Sequence, residues 1–285
     1  VVNALSIDVE DYFHANVFDR VVSPEAWAGL EGRVAPNTDR LLEILDGAGV
    51  RATFFVLGWV ADRHPALVRA IAAAGHELAS HGYAHRLVYT LTRDAFRDDV
   101  RRSKAIVEDL CGRAVRGYRA PSYSITNDSR WALDVLVEEG YAYDASIFPI
   151  RHDRYGIPDA PRHPHRLQVG AGALWEVPGS TVRCAGVNLP IAGGGYFRQF
   201  PYAFTRWGIG RVNRREGRAV IFYLHPWEID ARQPRLPLPL VSRVRHYRNL
   251  GRTEARLRRL LDDFRFDSIE RVLGLSTAAA SQTAA

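Results

Sequence analysis

The chain has 285 residues, of which 47% are hydrophobic and 25% charged, with a formal net charge of +6. Those values exclude a disordered or low-complexity polymer and describe a globular chain long enough to bury a core without staples. Nearly all the positive charge is arginine, which suits anionic partners such as a phosphate-linked lipid carrier, an acidic glycan or a nucleic acid, or simply a solvated surface.

Short apolar strands alternate with amphipathic helices. NALSIDV (3–9) reads as a strand ending at carboxylates, residues 38–48 as a helix with Leu41, Leu42 and Leu45 on one face, and ATFFVL (52–57) as a buried strand. A helix over 65–74 leads to a short strand, HELAS (76–80), which delivers His81. Residues 93–110 form a long helix with Thr92 as N-cap, and 115–118 a strand delivering Arg119. A helix over 128–139 precedes a strand around Tyr143 that delivers Asp144. Residues 150–172 are rich in Pro, His, Gly and Arg and read as an irregular loop, followed by a strand at 174–177 and a flexible turn at 193–195. A helix over 202–215 and the strand AVIFYL (219–224) deliver His225. A proline-rich connection (233–239), a helix over 254–264, an amphipathic tail and a small polar end (276–285) that reads as frayed complete the chain. Such alternation implies a parallel sheet, in which reactive groups gather at the carboxyl ends of strands. Asp8, His81, Arg119, Asp144 and His225 each end an apolar strand.

Cys111 and Cys184 do not make a disulfide framework and read as buried thiols. No apolar run reaches membrane-spanning length, and no signal peptide is visible, so a cytoplasmic location is the default and a periplasmic one stays open. The sequence contains no methionine, so a leader could have been lost.

His81 and His85 lie four apart in SHGYAH, a spacing that brings two imidazoles to one side of a helical turn. Two histidines and a carboxylate with an open position describe a catalytic zinc site. The carboxylates stand in SIDVED: Asp8 and Glu10 share a side of a strand, and Asp11 replaces Glu10 if the strand has ended. In YRAPSY, Arg119 can hold a carboxylate by two parallel hydrogen bonds, and Pro121 stiffens the turn that aims a backbone N–H. In YLHPWE, His225 can act as a general acid.

In this order the motifs SIDVED, SHGYAH, YRAPSY, YDASIF and YLHP resemble the NodB-type polysaccharide deacetylases, carbohydrate esterase family 4. SIDVEDYF, HPWEID and the tail HYRNLGRTEARLRRLLDDFRF resemble the deacetylases of exosortase-associated exopolysaccharide loci. The resemblance implies an α/β fold, a distorted (β/α) barrel of the NodB-homology type with fewer than eight repeats, over residues 1–230, with a C-terminal extension over 231–285 packed on it. It implies a metal-dependent removal of N-acetyl groups from an amino-sugar polysaccharide or its oligosaccharide precursor. The divalent ion would be zinc, with cobalt, nickel or manganese as alternatives. The substrate would be an N-acetylated glycan, with no nucleic acid and no integral membrane segment. Asp8 matches the base, His81 and His85 the metal ligands, Arg119 the tether of the base, the Tyr123 N–H an oxyanion donor, and Asp144 the carboxylate orienting the catalytic histidine, His225. Val9 follows Asp8 where the family has a second aspartate, so the metal carboxylate is Glu10 or Asp11. Ile147 and Phe148 stand where a groove tryptophan is usual. Pro121, Tyr12 and Trp227 are the candidate substrate contacts, the last two by stacking on sugar faces. Rival expectations are a metal-free amidohydrolase opening cyclic amides, a non-haem iron oxygenase, and a non-catalytic binder of carbohydrate or nucleic acid.

Overall fold

The computed structural model describes residues 1–275; the end that reads as frayed lies outside the described residues. In chain order the elements are β1 (Asn3–Val9), α1 (Val34–Gly47), β2 (Thr53–Val56), α2 (Gly58–Arg63), α3 (Pro65–Ala73), β3 (Glu77–Ser80), α4 (Arg93–Cys111), β4 (Gly117–Tyr118), α5 (Trp131–Glu138) and β5 (Tyr143–Asp144). There follow β6 (His165–Val169), β7 (Gly172–Glu176), β8 (Thr181–Cys184), β9 (Val187–Pro190), α6 (Gly194–Gln199), α7 (Tyr202–Arg211) and β10 (Ile221–Leu224). The chain continues through α8 (Leu240–Tyr247), α9 (Leu250–Asp263), β11 (Phe266–Asp267) and α10 (Ile269–Val272).

The local sequence explains most boundaries. In α4 the Thr92 hydroxyl accepts from the Ala95 N–H, Asp94 sits in the first turn, and Gly112 ends the helix at φ +66°. Its buried positions Phe96, Val100, Ser103 and Val107 recur at helical spacing and face the sheet. The parallel strands run β10-β1-β2-β3-β4-β5-β7, with β6 antiparallel on β7 and β11 beside β1. Every residue of β1 is buried because both faces are covered. Leu5, Ile7 and Val9 point to the core under the helices, whereas Ala4 packs inside the curl with Phe55, Ala79, Tyr143, Ile221 and Ile269. Period two therefore turns Ser6 and Asp8 inward as well.

Among the described residues the ladder does not close into a complete barrel. The opening between β7 and β10 is crossed by irregular chain: the Ser180 hydroxyl accepts from the Ile221 N–H at 2.7 Å, and Gly193 bridges to Tyr223. Four expectations need correcting here. The span read as an irregular loop contains β6, because its hairpin pairs Arg166 with Trp175 across the sheet edge. The turn at 193–195 opens α6, and the last helix, expected from 254, starts at Leu250 as α9 with α8 directly before it. Cys184 is exposed and Cys111 half-buried, since both fall at element ends rather than in the core.

Gly193 carries φ +98°, and a Cβ there would lie 1.9 Å from the Tyr223 carbonyl oxygen. Gly193→Ala should therefore lower unfolding free energy by more than about 2 kcal/mol, since backbone strain and a backbone clash add. Gly47→Ala, where a Cβ meets nothing within 4 Å, should raise it by about 0.4–1 kcal/mol. Urea denaturation of both variants checks this.

Candidate active site

β1 and the turn after it carry Asp8 and Glu10 to the carboxyl end of the sheet, β3 carries His81, β4 Arg119, and β10 His225. Asp8, Glu10 and His81 are each 2% exposed. Two buried carboxylates side by side demand positive or donor partners. Arg119 supplies the first: its Nη1 donates to Asp8 Oδ1 at 2.6 Å and to the Ser6 hydroxyl at 2.8 Å, while its Nε donates to the Ala145 carbonyl at 3.3 Å. The guanidinium also lies over the Phe55 ring, 4.2 Å from its centroid. The contact is thus not the two-pronged fork expected, because the second prong is turned onto the backbone.

Glu10 faces the histidines. Its Oε2 lies 2.7 Å from His85 Nε2 and 3.7 Å from His81 Nε2, yet accepts no well-aligned hydrogen bond. Burial pushes the Glu10 carboxyl up, but His85, His225 and His81 beside it prevail and hold it well below the usual range. His81 Nδ1 lies 2.8 Å from the Arg119 carbonyl, which can only accept. Nδ1 therefore carries a proton, and Nε2 is the ring nitrogen that faces Glu10. One carboxylate oxygen and two imidazole nitrogens within 4.8 Å of one another match the donor set of a divalent transition metal with positions left for water. The orphaned buried Glu10 oxygen is the observation that favours this fit.

The two histidines meet by a route the spacing did not indicate. Residues 81–87 are not helical; His85 instead adopts φ +51°. That left-handed turn, uncommon for a residue with a Cβ, brings its ring centroid to 5.5 Å from that of His81.

His225 Nε2 faces both carboxylates, 3.8 Å from Asp8 Oδ2 and 3.7 Å from Glu10 Oε1. Its Nδ1 lies 3.0 Å from Glu228 Oε2. Arg198 Nε donates to the other Glu228 oxygen at 2.6 Å. Burial opposes the charged imidazole, but Glu10, Glu228 and Asp8 raise its pKa to about 9. Burial likewise opposes ionised Glu228, and Arg198 and His225 overcome it, bringing its pKa down to about 2.

Several expected residues stand elsewhere. Asp144 does not orient His225. Its oxygens accept from the Ser146 hydroxyl and N–H at 2.5 and 3.2 Å beside buried Glu176, and burial raises it to about 6. Asp11 is not in the metal cluster, because its carboxylate caps the following turn and accepts from the N–H groups of Tyr12, Arg33 and Val34. The Tyr123 N–H already donates to the Ala120 carbonyl at 3.1 Å in the turn that Pro121 starts. Pro121 and Tyr12 are buried, the latter against Phe13 and Phe18. Trp227, 5% exposed, stacks between His225 and His246 and donates from Nε1 to Glu10 Oε1 at 3.2 Å. None of these three offers a face to a sugar. Ile147 and Phe148 are buried too, Phe148 among Tyr123, Tyr155 and Tyr196. Glu228 and Arg198 were missed. Glu228 stands three residues after His225 in HPWE, a capping-box spacing that could have flagged it; Arg198 has no local signal.

Residues 24–141 match the polysaccharide deacetylase family, and residues 145–274 match a domain of unknown function, DUF3473. A peptidoglycan deacetylase-like protein of Gibberella zeae is 34% identical over 118 residues, 41% of this chain and 33% of its own. A chitooligosaccharide deacetylase of Sinorhizobium fredii is 36% identical over 111 residues, 39% of this chain and 49% of its own. The matched stretch thus spans about a third to a half of these relatives. A solved structure from Mycobacterium smegmatis, assigned to the polysaccharide deacetylases, superposes with TM-score 0.63 at 24% identity, covering 98% of this chain and 91% of that one. A CE4 family pseudoenzyme from Bacillus anthracis superposes with TM-score 0.50 at 16% identity, covering 95% and 65%. The fold is therefore shared with a protein described as inactive, and activity has to be argued from side chains. Residues 24–141 are thus similar to the polysaccharide deacetylase family, and the α/β fold around them is the one shared with the Mycobacterium smegmatis structure.

Proposed function

We propose that this protein is a metal-dependent deacetylase that hydrolyses the acetamide of an N-acetylated amino-sugar polysaccharide or its oligosaccharide precursor, in the synthesis of an exopolysaccharide. The observation that carries the reading is the convergence of the Glu10–His81–His85 cluster, with its orphaned Glu10 oxygen, on Asp8 and His225. Glu10, His81 and His85 would hold the cation, with zinc first by donor set. When bound, it supplies Lewis-acid polarisation and makes water more acidic. Asp8, held by Arg119, which the Ser6 hydroxyl braces in turn, accepts the proton of the attacking water. As the new C–O bond forms and the C–N bond breaks, protonated His225 gives its Nε2 proton to the leaving amine. Glu228 and Arg198 orient the ring and keep it charged. Acetate and a free sugar amine result. The described part of the C-terminal extension, residues 231–275, is read as part of the same unit, since Arg198 and Trp227 touch it next to the site.

Acetate release from a panel of N-acetylated oligosaccharides, with and without zinc or cobalt, tests the activity. Asp8→Asn should lower turnover by about 10²–10⁴-fold while bound metal, measured by elemental analysis, stays unchanged. His81→Ala should lose the metal itself. Near-normal acetate release by Asp8→Asn would reject the role of the base.

Glu228→Gln removes a negative charge that stabilises the imidazolium. The folded-state pKa of His225 should therefore fall, and the alkaline limb of the kcat profile should move to lower pH. An unmoved limb with unchanged kcat would remove Glu228 from the site.

A further inference from the structure

The C-terminal half carries a surface that the chemistry above does not use. Between Asp230 and Glu254 the sequence has six arginines (232, 235, 243, 245, 248 and 252) and no acidic residue. Within this stretch α8 is oriented against the usual rule. Its apolar residues Leu240, Val241 and Val244 are 64%, 62% and 48% exposed, whereas its His246 is 4% exposed. At 3.6 residues per turn the three aliphatic side chains share one arc of about 100°. Arg243 and Arg245 flank that arc on either side, and His246 lies opposite it. The inward placement is fixed from below. His246 Nε2 pairs with Gln233 Oε1 at 2.8 Å, and its ring stacks on Trp227. Arg198 donates to the carbonyls of Arg245, His246 and Arg248. The helix cannot roll its aliphatic stripe inward without breaking these contacts.

An exposed aliphatic stripe edged by arginines on both sides is the pattern of a helix that lies in a lipid interface: the stripe enters the acyl boundary while guanidinium groups reach the headgroups. We infer that α8 seats this protein on an anionic lipid surface. A soluble polyanion would use the arginines but leave the stripe in water. A second copy would bring two acid-free, arginine-rich faces together and meet like-charge repulsion. An anionic bilayer satisfies both features at once. No described helix is long and apolar enough to cross a membrane, so the contact is peripheral. His246 is one ring, Trp227, away from His225, so the seated surface adjoins the catalytic groups. The inference stands apart from the deacetylase reading, because it is measured without substrate.

The test is co-sedimentation of the full chain with phosphatidylcholine vesicles and with vesicles that also contain phosphatidylglycerol, at two salt concentrations. Three proteins are compared: the parent, Leu240→Ser/Val241→Ser/Val244→Ser, and Arg243→Gln/Arg245→Gln. Thermal melts confirm that all three are folded. The parent should bind the anionic vesicles and not the neutral ones. The double arginine variant should lose roughly thirty-fold in partitioning, about fivefold per arginine. The triple serine variant should lose binding at high salt, where charge alone is screened. Absence of binding, equal binding to neutral vesicles, or full binding by the triple serine variant would each overturn the inference. So would concentration-dependent self-association that the triple variant abolishes without any vesicle uptake, which would assign the stripe to a second copy.

Discussion

Two carboxylates, Asp8 and Glu10, are buried beside one another at the mouth of the sheet, and the arrangement around them answers that single electrostatic problem. Leaving an ionised carboxylate unpaired in such a place costs several kcal/mol. Arg119 neutralises Asp8 from the sheet interior, and the histidines crowd Glu10 from the other side. The division separates the roles. Asp8 is fixed in geometry by a permanent cation. Glu10 keeps an oxygen with no well-aligned donor, which is what a metal ligand needs. Removing Arg119 would leave a charge uncompensated in the core, so the pair is a folding constraint whatever its part in the proposed chemistry.

The same reasoning links the two halves of the chain. His225 is kept protonated by carboxylates on both sides, and Glu228 keeps its own charge only because Arg198 lies against it. Arg198 in turn binds three carbonyls at the end of α8, and Trp227 joins His246 to Glu10. The region matching a domain of unknown function thus provides the support for His225, the proposed general acid. It also positions the outward stripe of α8, so catalytic orientation and surface presentation share one set of contacts.

Strained backbone concentrates at this mouth. His85, Ser122 and Tyr123 all adopt left-handed φ values near +50°, a conformation that costs of order 1 kcal/mol or more each for such residues. For His85 the benefit is visible: the turn swings its ring toward His81 and Glu10. No ideal helix would do this here, because β3 ends at Ser80 and the following loop must turn back over the sheet.

Much of this was legible before any coordinates. The alternating side-chain directions of β1 and the placement of Asp8, His81, Arg119 and His225 at the ends of apolar strands follow from short-range pattern, since a strand's side-chain direction is set by its own backbone. The strand–helix alternation likewise dictated a parallel sheet. What only the tertiary structure decided were partnerships between groups far apart in the chain. Glu228 rather than Asp144 holds His225, because the Asp144 carboxylate is taken up by Ser146 beside buried Glu176. Glu10 rather than Asp11 faces the histidines, because Asp11 is drawn into capping amides near residue 33. Trp227 and Tyr12 are packing rather than sugar platforms, because the C-terminal helices and the turns after β1 cover them. Local sequence specifies where a side chain leaves its own strand; which distant charge or ring meets it depends on how the layers close, and that is a property of the folded whole.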